Sequence, residues 1–197
     1  LLHSIEEPTI EGNRFIVRRT KNGDTGMLQN HVLLPEAGNA QIEKVGGKGK
    51  EFWVFGTNYP NDALPNRPDD ANERGAWRVE VSPAAPATED CFLNVMQVAD
   101  NTCKRMHDVK RIDAEKVVGV QIADRVVTFS RDSQPLSGKV DMKVDGNAAM
   151  KFVITDLIPG TWQIKKDGKV YIPAMEVRSD DGILSFEGTA GHYEFLR

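Results

Sequence analysis

The stretch GAWRVEVSPAAPATEDCFLNVMQVAD, residues 75–100, decides the fold that this sequence predicts. Its first run alternates Trp77, Val79 and Val81 with charged residues, which is the period-two pattern of a β-strand with one buried face. A connector with two prolines ends this strand, because proline has no N–H for the ladder. The second run, CFLNVMQV at residues 91–98, is apolar on both faces. Such a strand is typical of the centre of a sheet covered on both sides, so we expect a layered, β-rich protein with one layer outside this chain.

The rest of the chain repeats the pattern of short alternating segments separated by turn signals. The segments EFWVF at residues 51–55 and KVDMKV at residues 139–144 are among the predicted strands. Turn signals that recur about every eight to twelve residues are typical of an antiparallel β-sandwich. They are Asn22-Gly23, Asp145-Gly146, Pro159-Gly160, Asp167-Gly168 and Asp181-Gly182. Helical periodicity is nearly absent, so the predicted fold is all-β, built of antiparallel β-sandwich layers.

The polar segment at residues 101–116 is the candidate domain boundary. We therefore predict a β-sandwich part at residues 1–110 and a small C-terminal antiparallel β domain at residues 111–197. The chain has 197 residues and begins with Leu1-Leu2-His3 rather than Met, so we expect it to be a piece of a larger protein.

Composition excludes two classes of function. The net charge of −4 and the mixed signs along the chain offer no basic surface for nucleic acid. The longest apolar runs are too short to cross a bilayer, so we expect no membrane span.

The cysteines and histidines indicate no metal site or cofactor. Cys91 and Cys103 could be joined by a disulfide, which would need a sharp reversal of the chain between them. We favour two free thiols, of which at least one is buried. The four histidines share no metal-ligand spacing, and each is expected on the surface or packed against neighbours. They are His3, His31, His107 and His192, and His31 is the first to examine because it lies within a predicted strand.

Several stretches in order carry a resemblance to a known family. They are LLHSIEEPTIEGNRF (1–15), LLPEAGNAQIEKVGGKGKEFWVFGTNYP (33–60), WRVEVSP (77–83) with DCFLNVMQV (90–98), and ITDLIPGTWQI (154–164) with SFEGTAGHYEF (185–195). Together they resemble the C-terminal β region of heparinase II/III-like polysaccharide lyases. The resemblance implies a bacterial parent enzyme, periplasmic or extracellular, that cleaves uronate-containing polysaccharide by β-elimination. It also implies that residues 1–110 pack on an N-terminal catalytic domain of the same parent chain, an α/α toroid.

The chemistry of that reaction predicts a non-catalytic role for this chain. Elimination across a uronate needs a base for the C5 proton, an acid for the leaving oxygen and a group that neutralises the carboxylate. The resemblance implies that these groups lie upstream of the present residues, and none can be placed on this sequence. Two alternatives stay open: a stand-alone carbohydrate-binding module, and an assembly β-sandwich that pairs with another subunit.

The candidates for contact with an acidic polysaccharide lie in two neighbouring segments. Residues 56–75 contain three prolines and no periodicity, and a loop of that length is usually functional or mobile. Within it we predict substrate contacts from Asn58, Tyr59 and Arg67. Before it, Lys48 and Lys50 of the GGKGK turn could contact a carboxylate or a sulfate, although a solvated turn is the simpler interpretation.

Two further features have ordinary structural explanations. The tryptophans Trp53, Trp77 and Trp162 are expected mainly in the core. The acidic segment DDANER at residues 69–74 lacks the ligand spacing of a calcium loop.

Overall fold

The computed structural model describes residues 1–59 and 75–197, and in these ranges every regular element is a β-strand. The strands are β1 (Leu2–Ser4), β2 (Thr9–Glu11), β3 (Arg14–Lys21), β4 (Asp24–Leu34), β5 (Ala40–Gly46), β6 (Trp53–Val54), β7 (Thr57–Asn58), β8 (Trp77–Pro83), β9 (Leu93–Ala99), β10 (Val109–Asp113), β11 (Val117–Ile122), β12 (Arg125–Ser130), β13 (Val140–Val144), β14 (Met150–Ile154), β15 (Gly160–Lys166), β16 (Lys169–Val177), β17 (Leu184–Gly188) and β18 (Gly191–Leu196). The predicted all-β class is confirmed.

The chain divides into two compact units, Leu1–Met106 and His107–Arg197. The first unit contains a three-stranded sheet in the order β1-β8-β5, a four-stranded sheet in the order β2-β3-β4-β9, and the small hairpin β6-β7. The second unit contains a five-stranded sheet, β10-β11-β12-β14-β17, and a four-stranded sheet, β13-β18-β15-β16. Strand pairs within the described ranges are antiparallel except for β12 and β14, which run parallel.

The second unit has an extensive core made of alternating residues from its two sheets. Trp162, Tyr193, Phe152 and Phe195 are completely buried there, as the prediction for Trp162 required. The indole Nε1 of Trp162 donates a hydrogen bond of 3.0 Å to the carbonyl oxygen of Ile158, so its polar atom has a partner. Burial of these large apolar side chains provides most of the driving force for folding of this unit.

The first unit has a much smaller core. Phe15 and Val32 from the four-stranded sheet pack with Val79 from the three-stranded sheet, and all three are fully buried. Trp53 and Trp77, which were expected in the core, are only partly buried.

The strand at residues 91–98 differs from the prediction. In the described part of the chain, β9 pairs only with β4 and forms the edge of its sheet rather than the centre. Leu93 is buried, whereas Met96 and Val98 on the opposite face are 58% and 77% exposed. The predicted central position is wrong, because a strand's place in its sheet depends on which strands it pairs with, and its own apolar pattern does not determine this.

The segment EFWVF is not the compact strand that its composition indicated. Only Trp53 and Val54 are extended, and they pair with Asn58 and Thr57. Phe55 has a φ of 46° and is 99% exposed, and Gly56 follows with a φ of 82°. Two consecutive residues with positive φ are the geometry of a type I′ hairpin turn, which ends the strand early.

Candidate functional site

In the GGKGK turn after β5, the first two positions require glycine because they lie against Ala76 and Trp77. The Gly47 N–H donates a hydrogen bond of 3.0 Å to the carbonyl oxygen of Ala76. A Cβ added at Gly46 would lie 2.2 Å from that carbonyl oxygen, and one added at Gly47 would lie 2.8 Å from the indole ring of Trp77. The two glycines therefore permit the close approach of two backbone segments, and no phosphate-binding role is needed to explain them.

Glu51 and Asn58 hold together the hairpin that follows this turn. The Glu51 carboxylate accepts hydrogen bonds of 2.9 and 3.1 Å from the Gly49 N–H. The Asn58 side-chain oxygen accepts a 2.8 Å bond from the Phe52 N–H, and its amide nitrogen donates to Glu51 at 3.4 Å. Backbone hydrogen bonds from Glu51 itself and from Gly49 hold the pKa of the Glu51 carboxyl below its usual value. Asn58, a predicted substrate contact, thus has a structural role in the hairpin.

The remaining predicted contacts lie around the same hairpin, with one exception. Lys48 and Lys50 are exposed, and the Lys50 ammonium lies 5.4 Å from the centre of the Trp53 ring. Tyr59 is 55% exposed, and its N–H donates to the carbonyl oxygen of Phe52 at 3.3 Å. The structure therefore brings four of the five predicted residues to the β6–β7 hairpin and the segments directly before and after it. Arg67, like the DDANER segment, lies outside the described residues.

A groove in the first unit was not found by sequence reasoning. It has a volume of about 320 Å³ and is lined mainly by apolar side chains: Leu1, Leu2, Phe15, Val79, Val81, Phe92 and Met96. Asn30, which is only 2% exposed, lies at this groove and donates a 2.9 Å hydrogen bond to the Asn94 side-chain oxygen. The available signal is the second apolar row of residues 91–98, since Phe92 and Met96 of that row line the groove.

The histidines do not converge on a site in the described residues. His31 is half-buried beside Arg14 of the neighbouring strand, and burial, followed by the Arg14 charge, lowers its pKa. His192 lies on the surface of the second unit, with Nε2 3.3 Å from a carboxylate oxygen of Asp141. Within residues 1–59 and 75–197, no group of three or more His, Cys, Asp or Glu side chains is arranged to hold a metal ion.

The two cysteines are free thiols. Cys91 is exposed, and Cys103 is partly buried with its sulfur 3.3 Å from the carbonyl oxygen of Arg105. The expectation that at least one thiol would be buried was wrong, because both cysteines lie outside the strands that form the core.

Comparison with family models gives a match to the heparinase II C-terminal domain over residues 111–197, which lie in the second unit. This finding confirms the resemblance for the C-terminal region, and it indicates that residues 111–197 are similar to a part of a polysaccharide lyase. No curated protein matches the chain. No helix in the described ranges has the length and apolar character needed to span a membrane.

The second unit has an aromatic cluster that extends from the core to the surface. The Phe152 ring stacks on Phe186 at a centroid distance of 4.8 Å and contacts Tyr193 at 4.7 Å. Tyr171 lies edge-on to Tyr193 at 6.2 Å and is 43% exposed. The tyrosines thus connect the buried core to the outer surface of the β15–β16 hairpin.

Proposed function

We propose that this chain is the non-catalytic C-terminal part of a secreted heparinase II/III-like polysaccharide lyase, located in the periplasm or outside a bacterial cell. The observation that carries the proposal is the match of residues 111–197 to the heparinase II C-terminal domain. The parent enzyme would cleave a uronate-containing polysaccharide by β-elimination, with the base and the acid supplied by its N-terminal catalytic domain.

The first unit would brace that catalytic domain. The apolar groove and the exposed face of β9 support this role. Met96 and Val98 lie on the same face of β9 and are 58% and 77% exposed, and Phe92, directly before the strand, is 49% exposed. Contiguous exposed apolar area of this kind is typical of surfaces that bind another protein domain.

The hairpin of the first unit would line part of the substrate cleft. Lys48 and Lys50 supply positive charge, and Tyr59 offers an exposed ring. Ammonium groups bind carboxylates and sulfates through charge-assisted hydrogen bonds. Arg67 is the fourth residue proposed for substrate contact, and Asn58 would act mainly by holding the hairpin in shape.

The non-catalytic role is tested by incubating the purified chain with heparin, heparan sulfate, alginate and chondroitin. β-Elimination creates an unsaturated uronate that absorbs ultraviolet light, so the reaction is followed by absorbance. We expect no product from this chain under conditions in which a complete lyase of the same class is active. Turnover by the pure chain, proportional to its concentration, would contradict the proposal.

The bracing role is tested with a charge introduced on β9. We expect Met96→Lys to weaken binding of this chain to the helical catalytic domain of its parent enzyme by about tenfold or more, because an unpaired ammonium would be buried. Ile183→Lys in the second unit is the control, since Ile183 is also an exposed apolar residue, at 38%. Binding is measured by titration calorimetry, and equal affinity of both variants and the parent chain would exclude β9 from the interface.

A stand-alone carbohydrate-binding module is the second candidate, supported by the Lys50–Trp53 pair and the exposed Tyr59 on one hairpin. Tight glycan binding by the isolated chain, without any affinity for a catalytic domain, would favour this module. Dimerisation that depends on concentration, without glycan binding, would instead favour an assembly sandwich.

A further inference from the structure

The end of the β15–β16 hairpin in the second unit forms a shallow depression of about 460 Å³. Its lining consists of Lys166, Asp167, Lys169, Val170 and Tyr171. We call these five residues the Lys–Tyr surface. It lies in the unit that matches the heparinase II C-terminal domain, separate from the hairpin of the first unit.

The Lys166 ammonium is held in position rather than free in solvent. It donates a hydrogen bond to the Thr189 hydroxyl. It also lies 6.0 Å from the centre of the Tyr171 ring and 5.9 Å from that of Tyr193. The side-chain stem packs beside Gly191, where an added Cβ would lie 2.6 Å from Lys166 Cε. A cation that is already ordered loses less conformational entropy when an anion binds.

Tyr171 is ordered as well, although it is 43% exposed. Its hydroxyl donates a 2.9 Å hydrogen bond to the carbonyl oxygen of Glu187. Its ring contacts Phe186 and Tyr193 edge-on, at centroid distances of 6.4 and 6.2 Å. A ring held in this way presents a fixed apolar surface to a ligand at low entropic cost.

The local charge is positive although the chain carries a net charge of −4. Residues 165–171 include three lysines and one aspartate. The Asp167 carboxylate accepts a 2.9 Å hydrogen bond from the His192 N–H, which orients it toward the protein. Glu194, the strand neighbour of Lys165, is already paired with Lys139. Lys166 and Lys169 therefore leave an excess of positive charge on the Lys–Tyr surface.

We propose that the Lys–Tyr surface is a second glycan-binding site, which takes one acidic sugar unit of a polysaccharide. Lys166 and Lys169 bind its carboxylate or sulfate, and Tyr171 packs against the C–H face of the sugar ring. The choice of an acidic sugar as ligand rests on the proposed function. The site itself rests on the ordered cation, the ordered ring and the local charge. Such a site holds the polysaccharide to the second unit, away from the catalytic centre.

The test is a nuclear magnetic resonance titration of the full chain with a heparin-derived tetrasaccharide at low ionic strength. We expect the largest amide shifts at residues 166–171 and 189–192. Lys169→Gln, a change of an exposed side chain, should weaken binding at this site about two- to fivefold, and the double variant with Lys166→Gln should weaken it further. Lys143→Gln is the matched control, since the Lys143 side chain is 77% exposed elsewhere on the second unit, and its affinity should equal that of the parent chain.

Two comparisons separate a sugar site from a simple anion contact. Inorganic sulfate at the same concentration of charge should produce small shifts without any at the Tyr171 ring, and Tyr171→Leu should weaken the tetrasaccharide but not sulfate. Equal responses to sulfate and tetrasaccharide, or equal losses in Lys143→Gln and Lys169→Gln, would overturn the proposal.

The same titration distinguishes this inference from the proposed function. Shifts confined to the β6–β7 hairpin of the first unit, with none at residues 166–171, would exclude the Lys–Tyr surface and leave the lyase assignment intact. Shifts at residues 166–171 together with turnover of the polysaccharide by the chain would support the site and contradict the non-catalytic role.

Discussion

Tyr193 combines complete burial with a polar group in the centre of the second unit. Its hydroxyl donates a 2.5 Å hydrogen bond to the carbonyl oxygen of Thr189, and its ring lies 4.7 Å from Phe152. Burial, followed by the neighbouring Tyr171 hydroxyl, raises the pKa of Tyr193 to about 12. The phenolate form is therefore disfavoured in the folded state, because its charge would be taken from water into the core.

This raised pKa predicts a loss of stability at alkaline pH. Between pH 10 and about 12, Tyr193 loses its proton in the unfolded chain but keeps it in the folded chain, so the free energy of unfolding falls as pH rises through this range. Tyr193→Phe should reduce this alkaline slope. At neutral pH it should cost about 1 kcal/mol, because the Thr189 carbonyl loses its donor. Urea unfolding at pH 8, 10 and 11 measures both effects.

Tyr171→Phe is the control for this prediction. It removes the hydrogen bond to Glu187 from a tyrosine that is 43% exposed, and the buried Tyr193 stays in place. Burial, the larger cause of the raised Tyr193 pKa, is unchanged in this variant, so most of the alkaline slope should persist although the contribution of the Tyr171 hydroxyl is lost. An unchanged slope in Tyr193→Phe would mean that other groups cause the alkaline loss.

At the scale of elements, the turn between β5 and β6 shows why two glycines with the same φ need not be equivalent. Gly47 and Gly49 both have a φ of 80°. A Cβ at Gly47 would lie 2.8 Å from the Trp77 ring, whereas a Cβ at Gly49 would have no atom within 4 Å. Left-handed backbone strain is common to both positions, so any difference between their alanine variants reports the contact with Trp77.

Gly47→Ala should therefore destabilise the first unit more than Gly49→Ala, by about 1 kcal/mol or more. The measurement is chemical unfolding followed by tryptophan fluorescence, in which Trp53 and Trp77 report on the first unit and Trp162 on the second. Equal losses in the two variants would show that the Trp77 ring moves aside at little cost.

At the scale of the whole molecule, the two units differ in the size of their cores. Twenty of the twenty-seven buried apolar residues in the described ranges belong to the second unit, and seven to the first. Every strand pair in these ranges joins strands of the same unit. Apolar burial provides the main driving force for folding, so the second unit should be the more stable of the two.

We expect the fragment of residues 107–197 to fold alone, with a cooperative thermal transition and dispersed amide resonances. The fragment of residues 1–106 should unfold at a lower temperature, because its two sheets share only a small core. Calorimetry of both fragments and of the full chain measures the difference. A fragment 107–197 that stays unfolded would contradict the independence of its core.

The alternation of apolar and polar residues in the sequence correctly predicted which side chains are buried in β13 of the second unit. The alternation in KVDMKV places Val140, Met142 and Val144 in the core as the period of two requires, and Trp162 is buried after its Pro-Gly turn. The same reasoning missed β10, whose residues are mostly polar, and overestimated the strand at residues 51–55. A two-residue turn at Phe55 and Gly56 leaves no signal that distinguishes it from an apolar strand.

For the candidate site, sequence reasoning found the exposed Tyr59 and the lysines of the GGKGK turn, which the structure places around one hairpin. It did not find the structural role of Asn58 in the hairpin. It also did not find that Lys166 lies close to Tyr171, for which the three lysines around the Asp167-Gly168 turn were the only signal in the sequence. Side chains that are close along a strand can be predicted to share a face, but contacts between strands depend on register.

The sequence by itself determined the all-β class, most of the turns, and the resemblance that the match to residues 111–197 bears out. Only the tertiary structure decided that β9 lies at an edge, that β12 and β14 pair in parallel, and that Tyr171 and Lys166 are held together. The physical reason is that alternation and turn chemistry act over a few neighbouring residues. The choice of strand partners, and hence which apolar row is covered, is made by packing between residues far apart in the chain.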